Sequence, residues 1–244
     1  MKFSIAFAVV PLLLVAGCGE KSAETVTPAA AVTAKPAPAG TQWVDVVSVT
    51  PEGGHRMGNP DAPIKLIEYG ARTCPTCARF DQEGFPELKS GMIKSGKVSY
   101  EFRDYPVHGA LDIGPILLGQ CVEPAAFFPM LDEMMRNQPT LLAKEQEVAT
   151  SAQALQGKPP AAIGVHFAEG LGYIDFVKQR GVPEAKARAC LADQAALDRL
   201  AKNLQVADQE YRISGTPTFI INGKVAEGVS DWGALKPLLV AAGG

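Results

Sequence analysis

Two cysteines separated by two residues, Cys74 and Cys77, are the residues of this 244-residue chain best suited to covalent chemistry. Such a pair can close into a small disulfide that exchanges with other thiols. The sequence predicts a helix that begins near Cys74, with Thr73 as its cap and Pro75 in a first-turn position where the missing N–H costs nothing. Unpaired N–H groups at a helix N-terminus favour an anion. We therefore expect Cys74 to be the nucleophile and Cys77, one turn further in, to be the resolving thiol.

The same cysteine pair has three competing interpretations. A structural disulfide would close only a few residues, so it would restrain the unfolded chain very little. A zinc site normally needs four ligands, and His55, His108 and His166 are scattered without the spacing of a second ligand pair. A copper-carrying pair stays open as an alternative, although the proline and the helix start favour redox exchange. The sequence therefore predicts no metal site.

A carboxylate, Glu68, lies six residues before the first cysteine. It belongs to a predicted strand, residues 64–69, in which alternate residues share one face. If that face is buried, Glu68 is a desolvated acid beneath the cysteines that can relay a proton to or from Cys77. The alternative is an exposed glutamate at the end of a strand, and the residue pattern alone leaves both open.

A late β-rich run begins after Pro217. A proline at the start of a strand lacks the N–H that an interior ladder needs. Since only a few per cent of Xaa-Pro bonds are cis, the local sequence predicts a trans bond between Thr216 and Pro217. Residues 218–221 form the predicted strand, and Asn222 and Gly223 form a hairpin turn that leads into a returning strand.

The other predicted elements divide the chain into a strand–helix–strand unit and a long helical stretch. Residues 109–211 have a helix-forming composition broken by prolines, and they lack convincing strands. The remaining expectations are a strand at 43–50, a turn-rich connection at 51–63, a helix from 74 to about 96 that bends at 84–86, a strand at 97–103 and a final helix at 231–241 capped by Asp231.

The N-terminus predicts export. Residues 3–15 are apolar but too few to span a bilayer, and they lead into Leu14-Val15-Ala16-Gly17-Cys18, which resembles a bacterial lipobox. We expect residues 1–17 to be a lipoprotein signal peptide and Cys18 to be lipidated, with an ordinary secretory signal as the alternative. Residues 18–42, rich in Ala and Pro, are expected to be a flexible tether.

The net charge of −3 and the 7% aromatic content of the whole sequence give no indication of a nucleic-acid partner.

Together the cysteine pair, the acid in the preceding strand and the late Thr216-Pro217 resemble the thioredoxin superfamily. The helical stretch narrows this resemblance to DsbA-like proteins, and the match is strongest for the subgroup with Gly-Asn-Pro-Asp-Ala-Pro at residues 58–63. The resemblance implies an α/β fold, a thioredoxin fold with an inserted all-helical domain. Residues 43–108 would be the first part of the thioredoxin-like domain, 109–211 the helical insertion with its return helix, and 212–244 the second part.

The resemblance also implies roles for individual residues. The peptide bond before Pro217 would be cis, and Pro217 would face Cys74. The backbone of Thr216 would pair with an extended substrate segment, which gives affinity without requiring a particular substrate sequence. Pro75 and Thr76 are expected to belong to the same substrate-binding surface. Glu68 matches the buried acid of the family.

Thr76 departs from the pattern of the strong oxidants in this family, which often carry histidine immediately before the second cysteine. Threonine is neutral, so Cys74 is expected to be less acidified, and the direction of electron flow stays open. Arg72 and Arg79 are candidates for positive potential near Cys74, with simple solvation as the alternative.

Cys121 and Cys190 lie in the helical stretch, 69 residues apart. Some DsbA-like relatives carry a second disulfide in this domain, and a bridge closing such a loop would contribute roughly 4 kcal/mol in the chain-entropy model. The alternative is two buried free thiols, which are apolar enough for a core. We favour the structural disulfide.

The sequence thus predicts a lipid-anchored thiol–disulfide oxidoreductase of the bacterial cell envelope, on its periplasmic face, without a dissociable cofactor. Its expected partners are exported proteins with thiols or disulfides and a membrane redox partner, either a quinone-linked oxidase or a reductant donor. The alternatives are a disulfide reductase or isomerase of the same fold, or a copper-binding envelope protein.

Overall fold

The computed structural model describes residues 32–244. The predicted signal peptide at 1–17 and the predicted lipidation site Cys18 lie outside these residues. Of the predicted tether, only residues 32–42 are described, and they lie against the folded body. The backbone N–H of Val32 donates to the carbonyl of Gly243 (3.0 Å), and the indole of the buried Trp43 donates to the carbonyl of Lys35 (2.6 Å). The chain therefore joins the fold at Val32, beside the C-terminus.

Six strands form one mixed sheet in the order β1-β2-β4-β3-β5-β6. β3 and β4 are parallel, and every other neighbouring pair is antiparallel. The strands are β1 (Val47–Val49), β2 (His55–Met57), β3 (Ile64–Gly70), β4 (Val98–Asp104), β5 (Thr218–Ile221) and β6 (Lys224–Val225). The central position of β3 places the residues that follow it at the middle of the sheet edge.

Helices make up most of the rest of the chain. α1 and α2 follow β3, a run of eight helices separates β4 from β5, and α11 closes the fold. They are α1 (Pro75–Glu83), α2 (Phe85–Leu88), α3 (Ala110–Gly119), α4 (Phe127–Arg136), α5 (Gln138–Leu141), α6 (Glu145–Ala152), α7 (Pro160–Gly170), α8 (Tyr173–Lys178), α9 (Glu184–Leu191), α10 (Gln194–Tyr211) and α11 (Trp232–Ala241). Short 3₁₀-helical turns cover Trp43–Asp45, Pro124–Ala126 and Gln153–Leu155, and a π-helical turn covers Lys89–Ile93.

The predicted elements around the cysteines are confirmed, including the break at Gly84 between α1 and α2 and the cap of α11, where the Asp231 side chain accepts from the Ala234 N–H (3.0 Å). The predicted hairpin turn has positive φ at both Asn222 and Gly223, as a two-residue turn of this kind requires. Within residues 109–211, all of which are described, no strand occurs, as predicted.

Two predictions about residues 43–63 are wrong in part. The expected strand at 43–50 begins with a helical turn, Trp43–Asp45, and only Val47–Val49 pair as β1. The expected turn-rich connection at 51–63 contains β2, which pairs with both β1 and β4. Three residues are too few to display an alternating pattern, so the partners on either side, rather than local propensity, produce this strand.

Two large apolar cores and one small cluster stabilise the fold of residues 32–244. The first lies between the sheet and the helices beside it, where Phe80 of α1 meets Phe219 of β5 edge to face at 4.7 Å. The second lies inside the helical insertion, where α3 packs against α7. Gly114 allows this close approach, because a Cβ there would collide with Ala168. The insertion therefore has a core of its own and offers a rigid surface to the cysteines.

Candidate active site

Cys74 and Cys77 lie at the N-terminus of α1, as predicted. Cys74 itself, with extended backbone, is the cap, and α1 begins at Pro75. The prediction that Thr73 caps the helix is wrong, because its hydroxyl is engaged with a carboxylate of the helical insertion instead. Cys77 is fully buried and Cys74 is 6% exposed. The arrangement leaves Cys74 as the more accessible of the two thiols.

The two thiols have opposite acidities. A hydrogen bond from the Cys77 thiol, helped by Thr216 and by the backbone N–H groups of Cys77 and Thr76, lowers the pKa of Cys74 from 9.0 to about 5, although partial burial opposes this. Burial raises the pKa of Cys77 well above its ordinary value, and its bond to Cys74 and the charge of Glu68 add to the rise. Cys74 is therefore acidified by hydrogen bonds, with no histidine at position 76.

Glu68 is buried on β3, on the same face as Ile64 and Leu66, as the strand periodicity predicted if that face is buried. The Tyr100 hydroxyl donates to its Oε2 (2.6 Å). Burial raises the pKa of Glu68 from 4.5 to about 8, the Tyr100 bond opposes the rise, and the charges of Asp81 and Cys74 add to it. Glu68 is therefore largely protonated at neutral pH. Once it ionises, its negative charge raises the pKa of Cys77 further.

The Thr216-Pro217 bond is cis, which the family resemblance implied and the local sequence did not. The Sγ of Cys74 lies 3.2 Å from the carbonyl oxygen of Thr216, so this loop lies against the sulfur of Cys74. Pro75 is exposed and Thr76 half-buried at the start of α1. The four residues expected to bind substrate thus lie around Cys74.

Arg72 lies behind the cysteines and is fully buried, which excludes the alternative that its side chain is solvated, whereas Arg79 is exposed. The Arg72 guanidinium forms an ion pair with Asp104 at the end of β4. It also lies over the rings of Phe102 and Phe127, at 5.8 and 5.4 Å from their centroids. Burial lowers its pKa to about 9, which leaves the group charged at neutral pH. The Arg72 side chain therefore supports the active-site loop from within the core.

Sequence reasoning missed a residue that holds this loop from the helical insertion. The side-chain amide of Gln138, on α5, donates to the backbone carbonyl of Arg72 (2.8 Å) and to that of Cys74 (3.0 Å). Gln138 is itself buried. No local pattern could have found it, because 64 residues separate it from Cys74 and the contact exists only in the folded chain.

Cys121 and Cys190 are joined by a disulfide in the helical insertion, with their Cα atoms 6.0 Å apart. Cys121 follows α3 and Cys190 lies in α9, so the bond ties two helices of the insertion together. Within residues 32–244 there is no cluster of three or more His, Cys, Asp or Glu side chains that could hold a metal ion.

Residues 50–240 match the family model described as thioredoxin. The chain belongs to the thioredoxin family. A solved structure from Novosphingobium aromaticivorans, described as a protein-disulfide isomerase, is 31% identical, has a TM-score of 0.72 and covers 78% of this chain and 96% of that chain. The Wolbachia pipientis protein alpha-DsbA1, at 20% identity and a TM-score of 0.59, shares the fold over 78% of this chain and 90% of that chain.

Curated relatives agree with this membership. The Disulfide bond formation protein D of Bacillus subtilis (strain 168) is 26% identical over 200 residues, which are 80% of each protein. A relative from Rickettsia bellii is 25% identical over 177 residues, and these are 71% of this chain but only 59% of that protein. These relatives are named as a disulfide bond formation protein and a protein-disulfide oxidoreductase, to which this chain is similar.

Proposed function

We propose that this protein is a cell-envelope thiol–disulfide oxidoreductase that exchanges disulfides with exported proteins through Cys74 and Cys77. The opposite acidities of the two thiols are the observation that carries the proposal. With the pKa of Cys74 lowered to about 5, the reduced pair holds one thiolate and one buried thiol at neutral pH. A stabilised thiolate stabilises the reduced form, which makes the oxidised pair an acceptor of electrons from substrate thiols.

The exchange proceeds in two steps. A substrate thiolate attacks the sulfur of Cys74, the bond to Cys77 breaks, and Cys77 leaves with the electron pair. Glu68, protonated below its pKa of about 8, supplies the proton that Cys77 takes up. A second substrate thiol then attacks the mixed disulfide and releases Cys74 as a thiolate. An extended substrate segment pairs with the backbone of Thr216 beside Pro217 during both steps, next to Pro75 and Thr76.

The proposed setting follows from the N-terminus. Cys18 carries a lipid after removal of residues 1–17, and the folded body works at the periplasmic face of a membrane. None of the helices described in residues 32–244 combines the length and the apolar character needed to cross a bilayer. A membrane redox partner, either a quinone-linked oxidase or a reductant donor, resets the cysteine pair, and no dissociable cofactor takes part.

A reductase or isomerase is the second candidate, because the Novosphingobium aromaticivorans structure is described as an isomerase and position 76 lacks histidine. Equilibration with glutathione buffers measures the reduction potential of the Cys74–Cys77 pair. A value near the thioredoxin value of about −270 mV would exclude a dedicated oxidase. A clearly higher value supports the oxidising direction.

Serine substitutions test the exchange reaction itself. Cys74→Ser should abolish both oxidation of a dithiol peptide and reduction of insulin, whereas Cys77→Ser should trap a mixed disulfide on Cys74. Both variants keep the Cys121–Cys190 bond, which serves as an internal control for folding. Activity that survives Cys74→Ser refutes the proposal, and stoichiometric Cu(I) binding that needs both cysteines would support the copper-binding alternative.

A further inference from the structure

The hydroxyl of Thr73 lies between an imidazole and a carboxylate. Thr73 directly precedes Cys74, and its Oγ1 is 2.7 Å from Nδ1 of His108 and within hydrogen-bond distance of Oδ1 of Asp112. The other carboxylate oxygen of Asp112 accepts from the backbone N–H of His108 at 2.7 Å. These three residues come from the loop before α1, the loop before α3 and α3 itself, so the fold brings them together.

The single proton of the Thr73 hydroxyl fixes the state of the ring. Asp112 can only accept when ionised, so the hydroxyl donates to it and must accept from His108. Nδ1 of His108 therefore carries a proton, and Nε2 is the basic nitrogen of the neutral ring. Both contacts of the ring are made by Nδ1, and among the described residues Nε2 has no partner.

The ring lies at the boundary between core and solvent. The Asp112 side chain is fully buried, whereas that of His108 is 46% exposed. Because consecutive Cα atoms are about 3.8 Å apart, the short path through Thr73 keeps the ring on the order of 10 Å or less from the Cα of Cys74. A buried carboxylate thus orients a basic nitrogen at the solvent-facing side of the residue that directly precedes Cys74.

The carboxylate behind the ring is the nearest charged group. Oδ2 of Asp112 is 3.9 Å from Nδ1 of His108. The other ionisable groups around the carboxylate are Arg72, whose charge is paired with Asp104, and Tyr173 of α8, whose pKa the charge of Asp112 raises.

We propose that His108 is the general base that deprotonates the incoming substrate thiol. Nε2 takes the proton from the substrate S–H, the resulting thiolate attacks Sγ of Cys74, and the Cys74–Cys77 bond breaks with its electron pair on Cys77. The imidazolium then releases the proton to water at its exposed edge, so atoms and electrons balance without another reactant. This role rests on the proposed exchange reaction and adds a step to it.

The size of the effect follows from the substrate. A free cysteine thiol has a pKa of about 8.5, so about 3% of it is thiolate at pH 7. A base that converts the remaining thiol into thiolate can accelerate attack by at most about 30-fold. That advantage falls to about 4-fold at pH 8 and disappears above pH 9.5, where the substrate is already ionised.

The test measures the second-order rate at which a single-cysteine peptide forms the mixed disulfide with the oxidised full chain, between pH 7 and pH 9.5. His108→Asn keeps a donor near the position of Nδ1 but removes the base. We expect the variant to be slower by roughly 10- to 30-fold at pH 7 and equal to the wild type at pH 9.5. Thionitrobenzoate, a thiol that is fully ionised at pH 7, should react equally with both proteins.

The matched control is His166→Asn, on α7, whose ring contacts Ser151 instead of the active-site loop. This variant should follow the wild type at every pH. Equal rates for wild type and His108→Asn at pH 7 would overturn the role of His108, as would a deficit that persists at pH 9.5 or with thionitrobenzoate, since a structural defect acts at every pH. A wild type that does not react at any pH refutes the exchange reaction itself.

Discussion

Replacing Glu68 by Gln should make the stability of the protein less dependent on pH. The folded-state pKa of Glu68 is about 8, above the value of 4.5 for the free side chain, mainly because the group is buried. The folded protein therefore keeps a proton that the unfolded chain releases, and stability falls as pH rises from about 4.5 to about 8. Glutamine has the same shape, stays neutral, and can still accept from the Tyr100 hydroxyl.

The magnitude follows from linkage. Between pH 5 and pH 8 the folded protein binds more protons at Glu68 than the unfolded chain does, and this difference, summed over the interval, corresponds to about 2.6 pH units. At about 1.36 kcal/mol per unit, the unfolding free energy changes by about 3.5 kcal/mol. Wild-type Glu68 should lose this stability over that interval, and Glu68→Gln should not. Asp81, whose pKa is raised to about 7 mainly by burial, contributes a slope of the same sign to both proteins, and most of this contribution cancels in the difference.

Urea unfolding at pH 5, 6, 7 and 8 measures this difference. Both proteins should carry Cys74→Ser and Cys77→Ser, because the pKa of Cys74, lowered to about 5, would otherwise add a pH dependence of opposite sign to the reduced protein. Parallel stability curves for the two proteins would show that Glu68 is not a desolvated acid. A curve for Glu68→Gln that lies below the wild type at pH 8 would refute the reasoning equally.

Two further substitutions test the contacts around the active site. Gln138→Leu leaves the buried carbonyls of Arg72 and Cys74 without their amide partner. We therefore expect the unfolding free energy, measured in urea, to fall by about 1–3 kcal/mol. The pKa of the Cys74 thiol, measured by thiolate absorbance, should change as well. An unchanged unfolding free energy would contradict the role of Gln138 in holding the active-site loop. Replacing Cys121 and Cys190 together by Ala should lower the unfolding free energy by about 4 kcal/mol, because their bond closes 69 residues, and should leave the reduction potential of the active-site pair unchanged.

The reactive centre was largely predictable because its signals are local. Cysteine spacing, the proline after Cys74 and the period of β3 placed Cys74, Cys77 and Glu68 correctly in relation to each other. The cis bond before Pro217 came from family resemblance alone, since local preferences favour trans.

The supporting residues could not be predicted, because their roles depend on contacts between distant segments. Arg72 looks like a surface arginine in the sequence, yet it is buried against Asp104 and the two phenylalanine rings. Gln138 and Asp112 come from the helical insertion and act on a loop whose position only the complete fold determines. Local patterns carry no information about such pairs.

Because the chain joins the fold at Val32, the lipid proposed at position 18 limits the distance between the folded body and its membrane. Position 18 and Val32 are 14 positions apart, and a fully extended chain of that length spans at most about 50 Å. A protein held by a lipid at position 18 would therefore work in a thin layer next to its membrane. The disulfide exchange proposed above would take place in that layer, and inserting residues before Val32 would thicken the layer without changing the active site.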